Sequence, residues 1–138
     1  MNIQILEKAS KIIAKCNNAA FGIIDDMGFP SVSVVSLCYP QDVLEVYFTT
    51  GLESNKVRRL RANNKASINC FTNADNITLV GVAEILTDQE SKSKYWQNWF
   101  TEIYGDETNP EYCVIKFTTH RVSLWVDEES AEFEIKVD

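Results

Sequence analysis

The chain has 138 residues, of which 45% are hydrophobic and 24% are charged, and its formal net charge is −7 at pH 7. This length and hydrophobic fraction are typical of a single globular domain that buries about two thirds of the surface of its unfolded chain. The acidic balance argues against a nucleic-acid-binding protein, which would show a broad basic face. No repeat, linker or low-complexity segment interrupts the chain, so we expect residues 1–138 to form one domain.

The first predicted element is an amphipathic helix. Apolar residues recur at helical spacing at Ile5, Leu6, Ala9, Ile12, Ile13 and Cys16. Such a stripe is typical of a helix that packs on a core, and we expect it to act as a lid on the strands that follow. The segment has no long apolar run, so it predicts neither a signal peptide nor a membrane span.

Five short strands are predicted next, because each segment is rich in β-branched or aromatic residues and is bounded by turn residues. They span residues 21–25, 31–39, 44–49, 66–71 and 77–86. The segments 26–28, 40–42 and 73–75 have turn compositions, and tight turns of this kind favour antiparallel pairing.

The last third of the chain predicts a helix and two closing strands. Thr87 with Glu90 is the pattern of a capping box and predicts a helix that runs to about Tyr104, where Gly105 ends it. The closing strands lie within 114–125 and are followed by an alternating tail at 131–137. Trp96 and Trp99 are interpreted as packing residues of the late helix.

His120 is the only histidine of the chain and lies in the segment 118–121, which is interpreted as a turn between the closing strands. A catalytic relay or a histidine metal site needs partners at a workable spacing, and none is present. We assign His120 no role, no metal site and no haem.

A cluster of cations stands out in this acidic chain. No acidic residue occurs between Glu53 and Asp75, and the cations of this interval are Lys56, Arg58, Arg59, Arg61 and Lys65. Ser54 is a predicted N-cap of a helix that ends near Ala62, with Val57, Leu60 and Arg61 on its buried face. The free N–H groups and the dipole of a helix start favour an anion, so a phosphate site is one interpretation. A solvated basic face is the other.

The four cysteines are widely separated and lie within apolar segments, at positions 16, 38, 70 and 113. They form no C-x-x-C pair. Reduced, packed thiols are therefore favoured over disulfides or a metal site, and a reducing cytoplasm is the expected location.

Several short motifs follow one another in an order that points to a family. They are Tyr-Phe-Thr-Thr at 47–50, Ser-Asn-Lys at 54–56, Asn-Asn at 63–64 and Val-Gly-Val-Ala-Glu at 80–84. Together with the hairpin 20–30, the late helix 96–104 and the closing strands, this order resembles the flavin-binding split β-barrel family, which includes pyridoxamine 5′-phosphate oxidase and many general stress proteins. The resemblance covers nearly the whole chain and implies an α+β fold, a mostly antiparallel split β-barrel with peripheral helices.

The resemblance also implies a cofactor, FMN, at the interface of a homodimer. The phosphate of FMN would be held by Ser54, Asn55 and Lys56, with additional charge from Arg58 or Arg59. Asn55 stands where the family has an arginine, so this site has fewer cations than is usual in the family.

The flavin ring would be held by three sets of residues. Phe48, Thr49 and Thr50 align with the family's Tyr-Thr pair, and the backbone of Ser33 and Val34 faces them. Asn76 aligns with a glutamine that reaches the flavin from the partner subunit, and Trp125 aligns with a tryptophan near the flavin.

Other departures from the family argue against pyridoxamine 5′-phosphate oxidase activity. Ser33 and Cys38 occupy positions where those oxidases have basic residues. Residues 127–134 contain five acids and no base, in place of the Arg-x-His-x-Arg pattern that serves phosphates. The first hypothesis is therefore an FMN-binding flavoprotein with oxidoreductase activity on an unidentified small molecule and with no catalytic residue assigned. The alternative is a split-barrel binding or stress-response protein that has lost flavin.

Overall fold

The strands of the protein form a sheet that closes on itself. A computed structural model describes residues 3–38 and 41–136. Its strands are β1 (Asn18–Ile24), β2 (Pro30–Cys38), β3 (Glu45–Gly51), β4 (Lys65–Phe71), β5 (Asn76–Leu86), β6 (Tyr112–Val126) and β7 (Glu129–Glu134). Neighbouring strands are antiparallel in the order β3-β2-β1-β4-β5-β6-β7, and β3 also pairs with β6. Six strands therefore form a barrel and β7 extends from β6, which confirms the predicted α+β split β-barrel.

Short helices surround the barrel. They are α1 (Ile3–Ala14), α2 (Asn55–Ala62), α3 (Gln89–Lys94) and α4 (Thr101–Tyr104), with a 3-10 turn at Asn98–Phe100. The helix α1 buries Ile5, Ala9 and Ile13 against the core, as its apolar stripe predicts. Inside the barrel, Phe21 and Phe48 meet edge to face with their ring centroids 4.7 Å apart.

The barrel is incompletely closed between β2 and β3. These strands pair only at Leu37↔Phe48 and Cys38↔Tyr47, whereas β1 pairs with β2 along its whole length. Within the described residues, the edge of β2 from Pro30 to Ser36 therefore faces no strand. This edge is exposed except at Ser31 and Val35, so its unpaired backbone N–H and C=O groups are available to a ligand.

The prediction of one continuous late helix that starts at Thr87 is wrong. Asp88, and not Thr87, is the N-cap, because its carboxylate accepts a hydrogen bond from the Ser91 amide at 2.9 Å. The helix α3 ends at Lys94, and only after a break do the 3-10 turn and α4 follow, ending at Gly105 with φ 77°. The aromatic packing of Trp96 on Tyr112, 5.2 Å between centroids, fixes the break and overrides the local helical pattern.

The predicted turn at 118–121 is also wrong, because β6 runs through it without interruption. Val80 pairs with Arg121 and Gly81 with Thr119, so His120 is the extra residue of a β-bulge. A Cβ atom on Gly81 would lie 2.0 Å from the Thr118 carbonyl oxygen, so only glycine fits this close approach.

Three smaller predictions need comment. Arg61 is exposed and does not belong to the buried face of α2, which consists of Val57 and Leu60. The predicted alternating tail is β7 and its continuation to residue 136. Residues 39 and 40 of the predicted second strand and turn, and residue 137 of the tail, lie outside the described residues.

Candidate functional site

The gap between β2 and β3 contains a pocket of about 180 Å³. Three parts of the chain line it: the free edge of β2, the end of β3 with the start of α2, and the segment that carries the 3-10 turn and α4. The lining residues are Val34, Val35, Ser36, Thr49, Thr50, Lys56, Trp99, Phe100, Ile103 and Tyr104.

A chain of hydroxyl groups joins β3 to α2 beside this pocket. Ser54 is the N-cap of α2, with φ −67° and ψ 156°, and its Oγ accepts from the Val57 amide at 3.3 Å. The Thr50 hydroxyl donates to the same oxygen at 3.2 Å. The N-cap prediction is therefore confirmed, and it places the free amides of the first helical turn next to the pocket.

Lys56 is the cation of this pocket. It is half-buried, and among residues 3–38 and 41–136 it makes no ion pair and no hydrogen bond. A cation beside the amides at a helix start attracts an anion, since the charge and the dipole act in the same direction.

The other two candidate cations face an acid. Arg58 donates to Asp26 of the β1–β2 turn through Nη1 and Nη2, with Nη2 3.0 Å from Oδ2, and Nη2 also donates to Asn55 Oδ1 at 3.2 Å. The hydrogen bond from Arg58 lowers the pKa of Asp26, and the charges of Arg58 and Arg59 lower it further. Arg59 Nε lies 3.9 Å from the same carboxylate. Asp26 therefore offsets part of the charge of the cation cluster.

The predicted ring-binding residues lie at the gap in different ways. The Phe48 side chain is fully buried in the barrel, so only its backbone is near the gap. Thr49 and Thr50 line the pocket from β3, and Val34 lines it from β2 with 72% of its surface exposed. Ser33 precedes Val34 on the free edge and is exposed.

Two predicted residues do not join the pocket within one chain. Asn76 and Trp125 pair across β5 and β6, at the end of β6 remote from the pocket. Asn76 Oδ1 accepts from Asn69 Nδ2 at 2.6 Å, and Trp125 is 46% exposed. Both side chains lie on the outer face of the barrel, the face that also carries Val34.

The wall formed by the late segment was missed by sequence reasoning. Trp99 is predicted to be a packing residue, and it does contact Phe100, with ring centroids 4.4 Å apart. Half of its surface is exposed, however, and it lines the pocket. The signal was available in the pattern, because Trp99, Ile103 and Tyr104 are large side chains that exceed what one face of a short helix can bury.

The cysteines are unpaired, and three of them are buried. Burial raises the pKa of Cys38 and of Cys70 to about 12 and that of Cys113 to about 11, so these thiols are neutral at pH 7. Among the described residues, no group of three or more His, Cys, Asp or Glu side chains could hold a metal ion. None of the described helices is long and apolar enough to span a bilayer.

Comparison with known proteins agrees with the split β-barrel fold. The model of the pyridoxamine 5′-phosphate oxidase family matches residues 5–126. A search of curated proteins gives no significant match.

Solved structures with the same fold include a protein from Clostridium acetobutylicum related to general stress protein 26, with 20% identity, a TM-score of 0.85 and coverage of 98% of this chain and 97% of that chain. General stress protein 26 from Bacillus anthracis has 19% identity and a TM-score of 0.82, with coverage of 96% of this chain and 99% of that chain. A putative 5-nitroimidazole antibiotic resistance protein from Bacteroides thetaiotaomicron has 20% identity and a TM-score of 0.65, with coverage of 88% of this chain and 81% of that chain. At these identities the likenesses show the fold.

Proposed function

We propose that this chain, which belongs to the pyridoxamine 5′-phosphate oxidase family, is a cytoplasmic flavoprotein that binds FMN in the pocket between β2, β3 and α2. Members of the family commonly bind a flavin. The observation that carries the proposal is Lys56, a half-buried cation without a protein partner in the described structure, on the wall of a pocket at a helix start. A phosphate would give Lys56 the counter-ion that it lacks.

The free edge of β2 supports binding of the ring. Its backbone groups near Ser33 and Val34 face no strand, and the polar edge of an isoalloxazine offers both donors and acceptors to such groups. The hydroxyls of Thr49 and Thr50 lie across the gap. Bound FMN would supply electron-transfer chemistry, and this chain would bind the ring, orient it and exclude water from one face.

The size of the pocket supports a site shared by two subunits. A volume of about 180 Å³ is below the range of about 300–1,000 Å³ usual for small-molecule sites. One chain therefore encloses only part of a flavin. Asn76 and Trp125, which lie apart from the pocket of their own chain, would complete the pocket of a second copy.

An apolar outer face supports the homodimer. The side chains of Val32 and Val34 are 68% and 72% exposed, and Phe71 is 69% exposed at the far side of the same surface. Between them lie small residues, Ala20 and Gly22, in register with β2 and β4. Exposed apolar side chains on one face favour an interface, and the family is generally dimeric.

Two measurements test the proposal. The purified protein should be yellow, or should take up one FMN per chain in a fluorescence titration, and light scattering should give twice the chain mass of 15.7 kDa. A monomer that binds FMN stoichiometrically would contradict the shared site. Failure to bind FMN at all would favour the second candidate, a split barrel without flavin, which the pairing of Arg58 with Asp26 supports.

A further inference from the structure

A second pocket adjoins the proposed flavin pocket at the other end of the gap. It has a volume of about 280 Å³ and lies between the end of α1, the start of β1, β2 and the 3-10 turn. Ser36 and Trp99 line both pockets. A molecule in the second pocket would therefore lie beside whatever occupies the first.

The second pocket is polar and uncharged. Its polar lining residues are Cys16, Asn17, Asn18, Ser36, Gln41 and Gln97, and no described residue that lines it is a Lys, Arg, Asp or Glu. This absence of charge is notable in a chain with 33 charged residues, 13 basic and 20 acidic. An anion bound here would lose its hydration without gaining a counter-ion, which is costly.

Two amide side chains of this pocket, Asn18 and Gln97, have their oxygens occupied and their NH₂ groups free of described partners. Asn18 Oδ1 accepts from the Ser36 hydroxyl at 3.2 Å, and Gln97 Oε1 accepts from Trp99 Nε1 at 2.7 Å. Neither NH₂ group donates to any described residue. The Gln41 side chain is different, because it both donates to and accepts from the Tyr47 backbone, at 2.8 and 2.9 Å, and is a fixed wall.

Trp99 supplies a flat surface at the boundary of the two pockets. Its indole is held by the hydrogen bond to Gln97 and by the edge-to-face contact with Phe100. Half of it is exposed. A fixed, exposed indole binds planar ligands by stacking, at little cost in side-chain entropy.

We infer that the second pocket binds the redox partner of the flavin, and that this partner is an uncharged, planar molecule whose carbonyl, quinone or nitro oxygens accept hydrogen bonds from Asn18 and Gln97. The inference rests on the proposed FMN site for its redox role. It does not rest on FMN for the binding itself, because every residue that recognises the ligand belongs to this chain.

The test compares two probes of the same shape and different charge, 4-nitrobenzamide and 4-nitrobenzoate, by calorimetry with the full chain, both with and without FMN. The amide should bind with one molecule per chain, and the carboxylate at least about tenfold more weakly. Gln97→Leu and Asn18→Leu should each weaken binding of the amide by about three- to tenfold, the effect of one neutral hydrogen bond. Gln4→Leu, at an exposed position of α1 outside the pocket, is the matched control and should change nothing.

The outcomes separate the two proposals. Binding of both probes with equal affinity, no binding of 4-nitrobenzamide, or no effect of either substitution would overturn the assignment of this pocket, whatever FMN does. If 4-nitrobenzamide binds as expected while FMN does not, the binding site is supported and the flavin proposal fails. Where FMN binds, its affinity for each variant, measured by fluorescence quenching, should equal its affinity for the unmutated protein.

Discussion

Substitution of Lys56 by alanine should weaken the binding of FMN and leave the binding of riboflavin nearly unchanged. A phosphate charge about 4 Å from the ammonium interacts with roughly 4 kcal/mol at the effective dielectric constant of a protein surface. Desolvation of the half-buried lysine and of the phosphate reduces this to the range of a charge-assisted hydrogen bond, about 1.5–3 kcal/mol. The expected loss of FMN affinity is therefore about ten- to hundredfold.

The assay is quenching of flavin fluorescence, with FMN and riboflavin titrated into the unmutated protein, Lys56→Ala and Lys65→Ala. Lys65 belongs to the same cation cluster but is exposed on β4 and does not line the pocket. Its removal changes the net charge equally, so it controls for the long-range field. The effect of Lys56→Ala should shrink in high salt less than that of Lys65→Ala, because a half-buried pair is screened less.

Equal affinities of the unmutated protein for FMN and riboflavin would refute the phosphate assignment. Equal losses for Lys56→Ala and Lys65→Ala would refute the specific contact and leave only a general attraction of the cation cluster. Neither result depends on the identity of a substrate.

Three further predictions concern the surroundings of the site. Asp26→Asn should release Arg58 and tighten FMN binding by about 1.5- to fivefold, the range expected for an exposed ion pair, and should leave riboflavin binding unchanged. Weaker FMN binding in the same titration would show that Asp26 organises the site instead of competing with it. Gly81→Ala should lower the free energy of unfolding in urea by at least about 2 kcal/mol, because the new Cβ would lie 2.0 Å from a carbonyl oxygen. Gly51→Ala, whose new Cβ would have its nearest atom at 3.9 Å, should lower it clearly less. Similar unfolding midpoints for the two variants would contradict the bulge geometry. The FMN-loaded protein should not oxidise pyridoxamine 5′-phosphate in an oxygen-electrode assay, because residues 127–134 offer acids where a second phosphate needs cations, and rapid pyridoxal 5′-phosphate formation would show that the substrate site lies elsewhere.

Features with a local cause could be predicted from the sequence. The N-cap at Ser54 follows from one side chain and the amide three residues later. The stripe of α1 and the alternation of the strands follow from burial of one face. These signals do not depend on the rest of the fold, so β1 to β5 and the helix that carries Lys56 are predicted close to their observed bounds, whereas β6 is predicted as two strands.

Features that depend on contacts distant in sequence could not be predicted. The bulge at His120 exists because a glycine on β5 lets the β6 backbone approach. The ion pair of Arg58 joins residues 32 positions apart. The break between α3 and α4 depends on aromatic packing against Tyr112 of β6, so the capping pattern at Thr87 and Glu90 carried no information about it.

The distribution of charge along the β2 edge determines the direction in which a flavin could lie. The cation Lys56 lines one pocket, whereas the neighbouring pocket has amides and no charged side chain among its described lining residues. A reversed FMN would place its phosphate against Asn18 and Gln97 and would leave Lys56 without a counter-ion, so both ends would oppose that orientation. In the proposed FMN site the phosphate would therefore lie at α2, and the ring would lie toward Ser36 and Trp99, the two residues that the pockets share. A ligand of the second pocket would meet the flavin at its ring, which is the only part of FMN that exchanges electrons.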